Sequence, residues 1–311
     1  MNFLAFSIGI DLGGTKIAGV LVDEELHILA EEKILVDREK RVEKVIGDIE
    51  LLVRGFQEKG EGECWGVGLA LPGLLDWEKG GIALSENLNW RDVPVIPLLK
   101  EKLSLPFFME HDVRSGAVAE TYFGAAQSFQ DILYISVGTG IAGSLIWKRN
   151  IIRGAHEASA ELGHMVIEPN GPLCRCGNAG CLETLSSGNA MERDVFHLTG
   201  EHIKGEEIFS RAREGASPYQ EVVKRASAFL GLGLFNLVQI FDPEVIILGG
   251  GVAEAGEWWV ETIEEEYQNR FFWTPTIPPL LLGRFRSRAS VMGAAALPVL
   301  YKRGEYVRSI Y

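Results

Sequence analysis

Basic stretches are what this chain most clearly lacks. Its 311 residues hold 43 acidic against 30 basic side chains, a net charge of −13, with no Lys/Arg-rich run. Nucleic acid is therefore not an expected partner, since neutralising phosphates needs a basic face. No apolar run reaches the roughly 18 residues that span a bilayer, so no membrane partner is expected either. The start, MNFLAFSIGIDLGG, has neither a basic region nor a small-residue cleavage site, so no signal peptide is expected and the cytoplasm is the expected location. Low-complexity linkers are absent too, so any domain boundary must be a compact hinge. Cysteine is scarce, at four residues, and the lack of an even disulfide framework fits a reducing compartment.

Glycine is plentiful at 36 residues, beside 47% apolar residues, as in α/β proteins with many strand-to-helix turns. The length allows two lobes, each with its own core. Residues 4–10, 17–22 and 26–36 read as a β-meander, and 38–58 as an amphipathic helix with Val45, Ile46, Ile49, Leu52, Val53 and Phe56 at helical spacing. A buried strand at 65–71 stops at Pro72-Gly73, and 95–103 looks helical. A short strand at 107–109 runs into Glu110-His111-Asp112, ahead of a helix over 113–123. Strands at 132–137 and 142–147 repeat the opening strand, glycine turn, strand theme, which points to an internal duplication. Helices are predicted at 219–241, 254–271 and 289–301, with a strand at 245–248. The boundary is expected near residue 111. That makes 1–111 with 290–311 the small lobe and 112–289 the large one.

Three of the four cysteines fall within eight residues, Cys174-Arg-Cys176-Gly-Asn-Ala-Gly-Cys181, ten positions after Gly163-His164. The glycines let three thiolates converge, and one imidazole completes a tetrahedral Zn²⁺ shell. Cys-x-Cys is poor geometry for a disulfide, and three merely buried thiols would leave the glycines unexplained. With His164, Cys174, Cys176 and Cys181 filling all four positions, such a zinc is structural. Cys64, beside an apolar stretch, reads as a packing residue.

Asp11-Leu-Gly13-Gly14-Thr15-Lys16 lies between two strands. Glycine there lets backbone N–H groups approach phosphate oxygens; Thr15 adds a hydroxyl, Lys16 a charge, and Asp11 could hold Mg²⁺ through water. A plain hairpin turn is the bland alternative. Gly138-Thr139-Gly140 and Gly249-Gly250-Gly251 also follow strands, and three such turns read as one nucleotide cleft rather than three accidents. No G-x-x-x-x-G-K-[ST] occurs, and no strand leads into G-x-G-x-x-G, so P-loop and Rossmann readings are disfavoured. Asp112, between strand and helix, suits either a helix cap or a base taking the proton of an attacking hydroxyl.

Together these residues resemble the ROK family of sugar kinases and sugar-responsive repressors over about residues 5–300. Its most specific part here is Glu161-Leu-Gly-His164 with Cys174-x-Cys176-Gly-Asn-x-Gly-Cys181-Leu-Glu183. The resemblance implies a two-lobed actin/hexokinase-like (ribonuclease H-like) α/β fold with a ligand cleft between lobes. It implies Asp11 to Lys16 as the first phosphate motif, Gly138 to Gly140 as the second and Gly249 to Gly251 as the adenosine loop. Asp112 would be the general base on the sugar 6-hydroxyl. Glu161, His164 and Glu183 would bind other hydroxyls, with His164 shared between zinc and sugar. Asn87 is either a sugar contact or a turn side chain, and His111 lies beside the base.

Two departures stand out. The family's kinases usually carry Asn where His111 stands, and Glu110-His111-Asp112-Val113-Arg114 is similar to the repressor branch. They also commonly read Gly-Ala-x-Gly-x-x-Gly-Glu, where this chain has Gly154-Ala-His-Glu157-Ala-Ser-Ala160-Glu161. The resemblance thus implies a Mg·ATP-dependent hexose kinase with a structural Zn²⁺. Glucose is the first candidate, then N-acetylglucosamine or N-acetylmannosamine, then fructose. A non-catalytic sugar sensor is the alternative, disfavoured by the intact first phosphate motif and by the lack of room ahead of Asp11 for a helix-turn-helix. A polyphosphate donor would call for a more basic surface. A homodimer or homotetramer is expected, with Trp258, Trp259, Phe271, Phe272 and Trp273 as interface candidates.

Overall fold

The first apolar run folds as β1 (Ala5–Leu12), buried along nearly its whole length, as expected of a strand covered on both faces. The computed structural model describes residues 5–272, 276–305 and 311. It divides into two units, Met1–Phe123 with Arg288–Tyr311, and Gly124–Ser287.

In unit 1 the chain runs from β1 into β2 (Lys16–Val22) and β3 (Ile28–Leu35), then helix α1 (Val42–Lys59) and β4 (Glu63–Leu71). A small antiparallel sheet of β5 (Leu74–Asp76), β6 (Gly81–Ser85) and β7 (Trp90–Val93) follows. After α2 (Val95–Lys100) come β8 (Phe107–His111) and α3 (Asp112–Phe123). The main sheet has the order β3-β2-β1-β4-β8, antiparallel through β1 to β3 and parallel from β1 to β4 to β8.

Successive strand residues face opposite sides, and glycines reveal what covers each side here. A Cβ on Gly9 would stand 2.6 Å from Ala295 N, in the C-terminal helix (Ala289–Arg303). A Cβ on Gly19, opposite Ile10, would meet the Phe56 ring of α1 at 2.7 Å. The Ala-rich C-terminal helix therefore lies backbone-close on one face and α1 covers the other. The same helix meets α3, where a Cβ on Gly293 would lie 3.0 Å from Ser115 Oγ. That contact keeps α3 in unit 1, so the units divide after Phe123 rather than at residue 111.

Unit 2 repeats the plan with β9 (Ile132–Val137), β10 (Ile141–Trp147) and β11 (Asn150–Ile152). Helices α4 (Leu182–Ser186), α5 (Gly188–Thr199), α6 (Gly205–Arg213) and α7 (Tyr219–Phe241) precede β12 (Val245–Gly249), α8 (Glu257–Gln268) and β13 (Leu280–Leu282). The sheet order is β11-β10-β9-β12-β13, again antiparallel in its first three strands and parallel in the last two steps. The repeated order gives the duplicated strand-turn-strand theme a structural basis. Helix α7 buries Val223, Leu230 and Leu234 beside Trp259 and Tyr267 of α8.

The helix predicted over 254–271 is broken. Gly251–Ala255 makes a 3₁₀ turn, Gly256 takes a left-handed φ of 80°, and α8 starts only at Glu257. Of the interface candidates, Trp259 is fully buried, so it is core instead; Phe272 is 90% exposed, and Trp273 lies outside the described residues. Among the described residues no helix is long and apolar enough to cross a membrane.

Candidate active site and metal centre

In unit 1 the turn after β1 is a hairpin, with Gly13 N–H donating to Lys16 O at 2.9 Å, and Thr15 and Lys16 are exposed at its tip. A Cβ on Gly14 would lie 3.1 Å from Asn87 O, so the Asn87 loop packs on this turn. Lys40 Nζ donates to Asn87 O at 2.5 Å and Trp90 Nε1 to Lys40 O at 2.7 Å, which ties the loop down. Asn87 itself is exposed.

Asp11 stands at the end of β1 and Asp112 just past β8, two strands away across β4 (Asp11 pairs with Ala70, and Ala70 with Glu110). Burial, and then the charge of Asp112, push the Asp11 carboxyl up to about 7, against the opposing pull of Ser290 and Lys16. Ser290 Oγ–H donates to Asp11 Oδ1 at 2.9 Å. No local pattern announces Ser290, since 279 residues separate it from Asp11.

Asp112 opens α3 but does not cap it in the usual way. A capping carboxylate takes the second or third N–H of a helix. Here Asp112 Oδ1 accepts from Val113 N at 2.6 Å, and His111 Nδ1 lies 3.2 Å from the same oxygen. Both contacts fall on Oδ1. Glu110, buried beneath, accepts His111 N–H at 2.9 Å.

In unit 2 the other two glycine turns come together. Gly138 N–H donates to Gly140 O at 2.9 Å, and a Cβ on Gly138 would lie 3.9 Å from Gly251 N. Gly250 has a φ of 87°, and a side chain there would stand 2.7 Å from Val137 N. Gly188 N–H, at the start of α5, donates to Gly138 O at 2.8 Å. Thr139 and Gly251 are exposed, so the two glycine turns offer open backbone to solvent on this face, a surface that suits phosphate.

The metal loop is built as its spacing predicts. Gly177 and Gly180 take φ of 91° and 69°, which turns the chain back on itself, and Cys174 N–H donates to Asn178 O at 2.7 Å. Ligand atoms of His164, Cys174, Cys176 and Cys181 all lie within 4.8 Å of one another. All four cysteines of the chain are free thiols, with Cys176 Sγ 3.6 Å from Cys181 Sγ and Cys174 Sγ 3.5 Å from His164 Nδ1. Zinc bonded to sulfur at about 2.3 Å in a tetrahedral shell holds its ligands about 3.7 Å apart. The donor set therefore fits zinc in both chemistry and spacing. The backbone N–H of Asn178 draws the Cys176 thiol down to about 7, while burial pushes Cys181 up to about 12.

Next to this loop, Glu161 is exposed at the head of a single 3₁₀ turn, Leu162–His164. Glu183, on α4, points one carboxylate oxygen, Oε2, at Ile141 N (2.9 Å), while Oε1 lies 3.7 Å from Arg175 Nε. Arg175 and the Ile141 N–H had no signal in the sequence. The two positions where glycine was expected are informative. Glu157 and Ala160 take φ of 59° and 65°, the left-handed backbone that glycine adopts freely and L side chains resist.

The sequence profile of the ROK family matches residues 7–299. The chain belongs to the ROK family. Its fold is the two-lobed α/β fold of actin and hexokinase, as in the family's solved kinases. A ROK hexokinase from Thermus thermophilus is 34% identical with a TM-score of 0.81, over 96% of this chain and 99% of its own. A ROK glucokinase from Streptomyces griseus, solved with glucose and AMPPNP, is 31% identical with a TM-score of 0.82, over 93% and 98%. A xylose repressor from Caldicellulosiruptor bescii is 29% identical over 94% of this ROK protein and 77% of the repressor. The family thus brings both catalysts and regulators into comparison.

Proposed function

We propose that the chain is a sugar kinase that transfers the γ-phosphoryl group of Mg·ATP to the 6-hydroxyl of a hexose, with glucose the first candidate. The observation that carries this reading is the Asp11/Asp112 pair at the strand ends of unit 1, beside the Gly13-Gly14 turn. Two carboxylates that repel one another suit one cation and one proton. Asp11 meets the Mg²⁺ that arrives with the nucleotide, and Asp112 takes the proton of the sugar hydroxyl. As the O6–phosphorus bond forms, the bond from phosphorus to the β–γ bridging oxygen breaks, and ADP leaves with the charge. The N–H groups of Gly14, Thr139 and Gly140 meet phosphate oxygens, with Gly13 and Gly138 closing the two turns through their own N–H groups, and Gly249 to Gly251 receive the adenosine side. Glu161, His164 and Glu183 bind the remaining hydroxyls, with Asn87 and His111 at the same sugar.

The zinc, when bound, supplies a rigid closure of the loop. Nδ1 is the His164 nitrogen turned to the thiols, which leaves Nε2 for a sugar hydroxyl. Thiolates on zinc fit a cytoplasmic protein. Similarity to the Thermus thermophilus hexokinase and the Streptomyces griseus glucokinase supports the kinase reading.

The second reading is a sugar sensor without turnover. It is favoured by His111 against Asp112 Oδ1 and by the similarity to the xylose repressor. ADP release from Mg·ATP, measured over glucose, N-acetylglucosamine, N-acetylmannosamine, mannose and fructose, decides between them. Turnover on one sugar that disappears in Asp112→Asn supports the kinase and names the substrate. Sugar binding by calorimetry with no turnover on any sugar supports the sensor.

A further inference from the structure

We propose that Glu183 is a positioning residue for the Gly138–Gly140 turn, so that the metal loop sets the phosphate-facing N–H groups as well as the sugar contacts. This role rests on the nucleotide function proposed for that turn. The turn is gripped at both ends by one short segment. At one end Glu183 Oε2 accepts Ile141 N–H at 2.9 Å, and at the other Gly188 N–H donates to Gly138 O at 2.8 Å. Between those two residues the segment bonds to itself, with Ser187 N–H donating to Glu183 O at 3.2 Å.

Two glycines show how close the fit is. A Cβ on Gly140 would come within 3.0 Å of Glu183 Cδ, so a side chain there would displace the carboxylate. A Cβ on Gly163 would stand 3.0 Å from the Ile141 carbonyl carbon and 3.4 Å from Glu183 Cβ. Ile141 is thus held through its N–H by Glu183, and its carbonyl lies so close to Gly163, next to His164, that no side chain fits between them. Metal ligands flank both contacts. Cys181 is two residues from Glu183, with Thr184 N–H donating to Cys181 O at 2.9 Å, and Leu182 N–H donates to Met165 O at 2.9 Å, beside His164.

An ionised acceptor makes a stronger bond to a backbone N–H than a neutral one, which orients the start of β10 and the turn before it. Arg175 Nε, 3.7 Å from Oε1, offsets part of the negative charge near a site meant for phosphate.

The test compares wild type, Glu183→Ala, Glu183→Gln and Gly140→Ala by amide exchange at Ile141 and by Mg·ADP binding without sugar. In Glu183→Ala the Ile141 amide should exchange about tenfold faster and Mg·ADP affinity should fall about tenfold, the weight of one charge-assisted hydrogen bond. Glu183→Gln keeps an acceptor oxygen without the charge and should restore both to within about threefold of wild type. Gly140→Ala, which keeps Glu183 in the chain but displaces its carboxylate from the turn, should behave like Glu183→Ala and carries the test if that variant does not fold. Unchanged exchange at Ile141 and unchanged Mg·ADP affinity in either disrupting variant would overturn the proposal. Wild-type protein that binds no Mg·ADP would count against the kinase reading alone, with Ile141 exchange then deciding whether Glu183 holds the turn.

Discussion

The two units share a strand order but furnish the turn after their first strand differently. In unit 1 the strand ends in Asp11, and Asp112 faces it from two strands away, so the turn opens on a pair of carboxylates. In unit 2 the strand ends in Val137 and runs into Gly138, and an acid from α4, Glu183, spends one oxygen on the turn itself. In the proposed kinase, one copy of the backbone plan would serve a cation and a proton, and the other would present N–H groups. Topology decides where such a turn lies. Inserted segments decide its chemistry, as the cysteine loop between β11 and α4 shows.

Breaking unit 1's pair gives the largest expected effect. Asp112→Asn should lower turnover by roughly a thousandfold while sugar affinity stays within a few-fold. Turnover and calorimetric affinity measured side by side check this, and activity surviving the change would remove Asp112 from the mechanism.

Breaking unit 2's loop should act on stability. Cys181→Ser, or chelation of wild type, should destabilise the 164–183 region by roughly 3 kcal/mol or more, because binding a structural metal is folding energy. Amide exchange resolved along the chain should show the loss in unit 2 and not in unit 1. Metal-free protein, verified by elemental analysis, with an unaltered melting profile and sugar affinity would refute the structural role.

Asp11 sharpens the contrast through pH. Below about pH 4 its carboxyl is protonated whether the chain is folded or not. Between there and about 7 the folded chain keeps a proton that the unfolded chain has lost, so Asp11 progressively lowers stability as pH rises. Without Mg²⁺, Asp11→Asn should gain on wild type across that window and level off above it. The gain should be on the order of 2 kcal/mol once solvent screening is allowed for. Denaturant titrations at pH 4, 5.5 and 8 measure it, and a difference that does not vary with pH would rule out titration of Asp11 as its source.

The smallest effect concerns the two left-handed residues of unit 2. Glu157→Gly and Ala160→Gly should each be neutral or stabilising by on the order of 1 kcal/mol, since strain relieved in the fold is partly offset by glycine's freedom in the unfolded chain. Thermal melts read this directly. A clear destabilisation would show that these side chains contribute more than their backbone costs.

Much of the fold was legible in the sequence where the signal was long and periodic. Strand β9 and helix α7 have the predicted bounds, because five buried apolar residues running into glycine and a 23-residue amphipathic pattern leave few alternatives. Strands β5, β11 and β13 and helix α4 are three to five residues long and too short to show a period. The break at Gly256 was hidden because apolar spacing continues across it, whereas its positive φ ends the helix. At the site, the metal loop and the glycine turns were legible because their residues lie together in the chain. Their partners were not.

What the sequence determined by itself is therefore local. Cysteine spacing with glycine between fixes a four-ligand loop, and apolar runs ending in glycine fix strands that stop at turns, because both depend on backbone geometry over a few residues. The tertiary structure alone decided that Ser290 donates to Asp11, that Asp112 lies near enough to raise that carboxyl, and that Glu183 holds Ile141. Those contacts join residues far apart in the chain, and only the packing of strands and helices sets their distances and burial.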